Sequence, residues 1–96
     1  MAYYMTASLN ITDPSWIESY GPAVHALVEQ HGGRYIAQST EVTVVEGDGP
    51  APSVTVIIEF PDKAAAEAWY NDDAYKPWME ARQAGSTGTA LMFEGV

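Results

Sequence analysis

The stretch Ser53-Val54-Thr55-Val56-Ile57-Ile58-Glu59-Phe60-Pro61 limits what this chain can fold into more than any other. It is β-branched almost throughout, follows the loop Gly47–Pro52 and stops at a proline. β-Branched side chains lose rotamer freedom against the preceding turn of a helix, so the run reads as a strand. Without a clean alternation of polar residues, it reads as a strand buried on both faces. Such a strand needs two covers. The chain's own helices can supply one; the other has to come from outside the protomer.

Around it the pattern is regular. Tyr3 to Ile11 alternates, with Tyr3, Met5, Ala7, Leu9 and Ile11 on one face and Tyr4, Thr6, Ser8 and Asn10 on the other, as a strand does. Asp13-Pro14 predicts a helix start, Asp13 as N-cap and Pro14 at the first helical position, where its missing N–H costs nothing. Ile17, Tyr20, Val24, Leu27, Val28 and His31 then recur at helical spacing, and Gly32-Gly33 ends the helix, one of the two in the left-handed conformation. Arg34 to Glu46 reads as a second extended region with a bulge near Ser39-Thr40, where the odd–even pattern switches. Pro61-Asp62 caps an alanine-rich helix anchored by Trp69, Asn71-Asp72-Asp73 breaks it, and Tyr75 to Ala84 forms a further short helix. Gly85–Gly88 reads as a loop and Thr89 to Glu94 as the last strand.

Ninety-six residues make one domain, 1–96, with a single core. The order strand, helix, strand, strand, broken helix, strand predicts an α+β fold: a ferredoxin-like βαββαβ sandwich, its four-stranded antiparallel sheet covered by helices on one face. The uncovered face predicts a homodimer, closed sheet to sheet. A net charge of −9 argues against nucleic acid or an anionic membrane as partner. There is no cysteine, so disulfides and thiol chemistry contribute nothing, and no apolar run approaches a membrane span. The first residues lack the basic and apolar regions of a signal peptide, and a cytoplasmic protein is expected.

Several short features then converge on a family. They are the aromatic first strand, Thr12-Asp13-Pro14 before a helix carrying Tyr20, the turn Gly32-Gly33-Arg34, Glu46-Gly47, and Glu59-Phe60-Pro61 closing the central strand. Ala68-Trp69-Tyr70 with Tyr75 five residues on, Arg82 and the terminal Glu94-Gly95 complete the set. In this order the chain resembles the domain-of-unknown-function family numbered 1330, within the dimeric α+β barrel superfamily. The resemblance spans essentially the whole chain. It implies a ferredoxin-like protomer and a sheet-to-sheet dimer, but no particular reaction. Relatives in the wider superfamily include cofactor-free monooxygenases, muconolactone-type isomerases, haem-dependent enzymes and stress-response proteins, and they place ligand sites between helices and sheet.

The residues that could carry chemistry are few. His25 lies one position off the apolar stripe of its helix, suited to general acid–base work or to a surface pair with Glu29. His31, in the last turn, reads as a dipole partner. Arg34 and Arg82 belong to a set of only four basic residues; each could grip a carboxylate of a ligand or close an internal salt bridge, for instance to Glu46, Glu59 or Glu80. Glu59, near the end of the most buried strand, has to be paired or shifted in pKa, as a structural partner or a general base. Tyr20, Trp69, Tyr70, Tyr75 and Trp78 are core packing or the walls of a pocket. No phosphate loop, nucleophile elbow or metal-ligand spacing is present, and neither a metal nor a cofactor is expected.

Two functions fit. One is a small cofactor-independent enzyme on an aromatic or enone-like, anionic organic substrate. His25 or Glu59 would move a proton and Arg34 or Arg82 would hold an anionic oxygen; Tyr20, Trp69, Tyr70 and Tyr75 would contact the substrate. Isomerisation, cyclisation and oxygenation are all compatible. The other is a dimeric ligand-binding or stress-associated protein using the same cavity without catalysis.

Overall fold

The computed structural model describes residues 1–96. Strand β1 (Tyr3–Ile11) leads through a 3₁₀ turn (Pro14–Trp16) into helix α1 (Ile17–Gln30); β2 (Arg34–Ser39) and β3 (Val54–Phe60) follow. Two short helices, α2 (Lys63–Tyr70) and α3 (Lys76–Ala84), precede β4 (Ser86–Glu94). The sheet order is β2-β3-β1-β4, antiparallel throughout. It is the ferredoxin-like sandwich that the order of elements predicts. No helix is long and apolar enough to cross a membrane.

Local chemistry sets the element boundaries. An Asp13 carboxylate oxygen accepts the Ser15 N–H at 2.9 Å, and one from Asp62 accepts the Ala65 N–H at 2.8 Å, each satisfying a donor that the helix start leaves open. Gly32 takes the left-handed turn (φ 79°) after α1. At the break between α2 and α3 an Asp72 oxygen accepts the Ala74 N–H at 2.9 Å, and Pro77 stands in the first turn of α3, where no N–H is needed. Pro22 lies inside α1, and the helix runs on through it.

Alternation decides the layers. Met5, Ala7 and Leu9 of β1 and Ile58 and Phe60 of β3 are buried beneath the helices, together with Val24, Leu27 and Val28 of α1 and Ala66 and Trp69 of α2. Trp69 packs between Phe60 and Tyr75, ring centroids 5.5 and 4.5 Å away. On the opposite face Tyr4, Thr6, Thr55, Ile57 and Glu59 are half-buried, while Leu91 and Phe93 of β4 are exposed. The central strand therefore has one cover within the protomer, and its other face stays open.

Two strand boundaries and one irregularity differ from the sequence reading, and α1 proper begins at Ile17, after a 3₁₀ turn that holds Pro14. β2 ends at Ser39, not Glu46, because the Ser39 hydroxyl oxygen accepts the Glu41 N–H at 3.0 Å and turns the chain aside. The irregularity in β2 lies between Tyr35 and Ala37, four residues earlier than the Ser39-Thr40 step. β4 begins at Ser86, in what reads as a loop. There Gly88 pairs with Leu9 and a Cβ would run into the Ser8 carbonyl, so the glycine serves close strand approach and not a turn.

Candidate functional site

A cavity of about 330 Å³ lies between α1 and the helix-side face of the sheet. It is mostly apolar. Met5, Ala7, Leu9, Val56 and Ile58 form its floor, and Trp16, Ile17, Tyr20, Gly21 and His25 its helical wall. Small residues make the room: Ala7 at the centre of the sheet, and Gly21, whose missing side chain would meet nothing within 4 Å. Gln38, Thr40 and Ser53, all exposed, ring the mouth, and the buried Trp69 and Arg82 lie at the inner end.

His25 faces this space and not Glu29. Its imidazole stacks on the phenol of Tyr35, centroids 3.7 Å apart and planes 10° from parallel. Tyr35 reaches the helix side because the irregularity comes after it, placing it opposite Ile58. The Tyr20 hydroxyl lies 3.1 Å from that of Tyr75. Burial, then the nearby Tyr75, pushes the pKa of both Tyr20 and Tyr35 upward, so both hydroxyls keep their protons.

Arg82 is 7% exposed. Burial alone lowers its pKa, but the hydroxyls of Tyr75 and Tyr20 beside it outweigh that and the net shift is upward, so it stays charged. Each of the other three Lys and Arg side chains has a carboxylate within ion-pair distance: Arg34 with Glu59, Lys63 with Glu67, Lys76 with Asp73. Arg82 has none. Its Nε and the indole Nε1 of Trp69 are buried without a hydrogen-bond partner.

The cavity thus brings together His25, Arg82, Tyr20 and Trp69 among the residues singled out in the sequence. Tyr75 stands behind Tyr20, joined to it through the hydroxyls, and Tyr70 packs beyond Trp69 and Tyr75, off the lining. Glu59 and Arg34 are not part of it. They sit on the open face of the sheet, paired at 3.0 Å, with the Tyr4 hydroxyl donating to Glu59 at 3.3 Å. The parity of β3 explains this: Glu59 alternates with Ile58 and Phe60, which face the helices. His31 pairs with Asp72 at 2.9 Å, tying the end of α1 to the α2–α3 break. Tyr35 and Trp16 were not singled out. The parity of Tyr35 was visible, but its meeting with His25 depends on how α1 lies over β2. No three His, Asp or Glu side chains converge as a metal site would require.

A helix-covered antiparallel sheet enclosing an apolar cavity with one imidazole and one buried guanidinium defines a small ferredoxin-like protein. The chain belongs to the family DUF1330, a domain of unknown function, which it matches over residues 2–96. No curated protein matches it significantly. Among solved structures it is similar to RPA0582, a protein of unknown function from Rhodopseudomonas palustris, at 18% identity and TM-score 0.81, over 99% of this chain and 82% of that one. It is also similar to SnoaB, a cofactor-independent oxygenase from Streptomyces nogalater, at 16% identity and TM-score 0.71, over 99% and 93%. A dimeric ferredoxin-like protein of unknown function from Thermobifida fusca aligns at 14% identity and TM-score 0.69, over 99% and 92%. At these identities the likeness is one of fold.

Proposed function

We propose that this chain is a cofactor-independent enzyme acting on a small aromatic or enone-like substrate held between α1 and the sheet. The observation that carries the reading is the pairing of His25 with an apolar cavity whose inner end holds a charged arginine. His25 takes a proton from the substrate, stacking on Tyr35 to hold its ring plane. Arg82 faces the oxygen on which negative charge then gathers, and its charge acts strongly because the site excludes much water. Tyr20 and Trp69 form the walls. Isomerisation, cyclisation and oxygenation can all start from such an enolate or phenolate. SnoaB, a cofactor-independent oxygenase of similar fold, supports this use of it.

One observation favours a second reading, a ligand-binding protein without catalysis. The His25 ring is stacked but has no carboxylate partner to orient it as a base. Incubation with a panel of small quinols and enones, followed by absorbance and oxygen uptake, separates the two. Turnover that is lost in His25→Gln while binding persists supports the enzyme; binding of the panel without any turnover supports the binder.

The same proposal takes the working form to be a homodimer, sheet against sheet. The open face with Leu91 and Phe93 offers the missing cover for β3, and the Thermobifida fusca protein is described as dimeric.

A further inference from the structure

We propose that the inner end of the cavity is an anion subsite, so that the ligand enters as an organic anion, carrying a carboxylate or an ionised enol or phenol, and not as a neutral ketone or quinone. This rests on the reading of the cavity as the ligand site: Arg82 meets a charge the ligand already carries, and the proton left for His25 to take is a further one, on carbon.

The argument starts from an imbalance. The chain has thirteen acidic residues and four basic ones, so carboxylates are plentiful. Yet the one buried arginine has been left without any, while each exposed lysine and arginine has one. Its guanidinium is therefore held largely out of water with no carboxylate beside it. No carboxylate surrounds it: Tyr20, Tyr75 and Tyr70 are its polar neighbours, the Tyr75 hydroxyl within hydrogen-bond reach of the guanidinium, and the Tyr20 and Tyr75 hydroxyls are bonded to each other. A second donor, the Trp69 indole N–H, is also buried and unpartnered, on another residue of the same cavity lining. Two unpartnered donors on the lining of an apolar cavity, with tyrosine hydroxyls but no carboxylate beside the arginine, complement a ligand bearing acceptor oxygen and negative charge. The cavity floor of Met5, Ala7 and Ile58 complements an apolar ring as its body.

Charge at Arg82 also separates this role from a structural one. A structural arginine stabilises the fold, and its removal lowers the melting temperature. An arginine kept for an anion also lets the anion raise the melting temperature of the wild-type chain and not that of Arg82→Met, which keeps much of the volume without the charge.

The test uses two matched pairs of probes on the whole chain by calorimetry: 1-naphthoate against 1-naphthamide, and 4-nitrophenol above its pKa against 4-nitroanisole. We expect the anion of at least one pair to bind at least about tenfold more tightly than its neutral partner, and Arg82→Met to erase the difference. The pair that shows the preference tells carboxylate from phenolate. If Arg82→Met does not fold, proton–nitrogen spectra of the wild-type chain decide: the Arg82 Nε–H and Trp69 indole N–H signals shift with the anion and not with its partner. Neutral probes that bind as well as the anions overturn the anion subsite and leave the cavity as a ligand site. An anion that raises the melting temperature of Arg82→Met as much as that of the wild type overturns it too. No binding of any probe overturns both this inference and the reading on which it rests.

Discussion

The imidazole of His25 lies face to face with the ring of Tyr35, 3.7 Å between centroids. One side chain comes from the middle of α1 and the other from the second residue of β2, so the contact fixes the helix over the sheet edge and the imidazole against the cavity at once. His25→Gln is expected to lower turnover by roughly 10²–10⁴-fold, the usual worth of a positioned proton carrier, with little change in melting temperature. Tyr35→Phe keeps the stack and most of the activity, whereas Tyr35→Leu loses it. Equal activity in Tyr35→Phe and Tyr35→Leu would show that the stack does not orient the base.

Glu59 and Arg34 lie across the sheet from the cavity, which makes them a control. Glu59→Gln is expected to leave ligand affinity and turnover unchanged. Because the Arg34 side chain is 72% exposed, water screens the pair, and its loss costs no more than about 1 kcal/mol in denaturant unfolding. A large drop in activity in Glu59→Gln, at unchanged stability, would return this carboxylate to the catalytic site.

Asp72 supplies a pH dependence with a definite sign. The hydrogen bond to His31, then that from the Ala74 backbone, holds its carboxyl below the ordinary 3.8. A group whose folded pKa is depressed contributes stability that is fully present above the ordinary value and is lost as pH falls through the folded one. The stability gap between wild type and Asp72→Ala should therefore be flat at neutral and mildly acid pH and shrink below about 3.8. Urea unfolding across that range checks it; a gap that widens on acidification contradicts the assignment.

Leu91 is 56% exposed on the open face of β4, next to the exposed Phe93. If a second copy covers that face, Leu91→Asp puts an unpaired charge from each copy into the buried interface and yields a folded monomer. Sedimentation velocity reads this directly. An unchanged dimer would move the interface elsewhere on the surface.

What could be read in advance was what the chain states locally. The alternation from Tyr3 to Ile11, the caps at Asp13 and Asp62, and the break at Asn71-Asp72-Asp73 each depend on residues a few positions apart. The family resemblance rests on the same kind of feature. The site did not follow in full, because its determinants lie far apart in sequence. Nothing near Arg82 says that it lacks a counter-charge, and Tyr20 meets Tyr75 across 55 positions. The Arg34–Glu59 pair was one of several pairings the sequence allowed, and strand register selected it: β2 and β3 place the two residues directly opposite each other. A polar residue within an apolar strand reads as buried, but parity turned Glu59 to the open side.

The position of β1 at the centre of the sheet carries a consequence for how the chain is made. It leaves the ribosome ahead of both its neighbours in the sheet, which begin only at Val54 and Ser86. For most of synthesis its edges are free to pair with the wrong strands, including those of neighbouring nascent chains. α1 can form early from local contacts, but the sheet closes only when β4 emerges, pairing from Ile11↔Ser86 to Tyr3↔Glu94. Truncation before Ser86 therefore exposes the whole length of the central strand to aggregation, where loss of an edge strand's own tip would merely fray it.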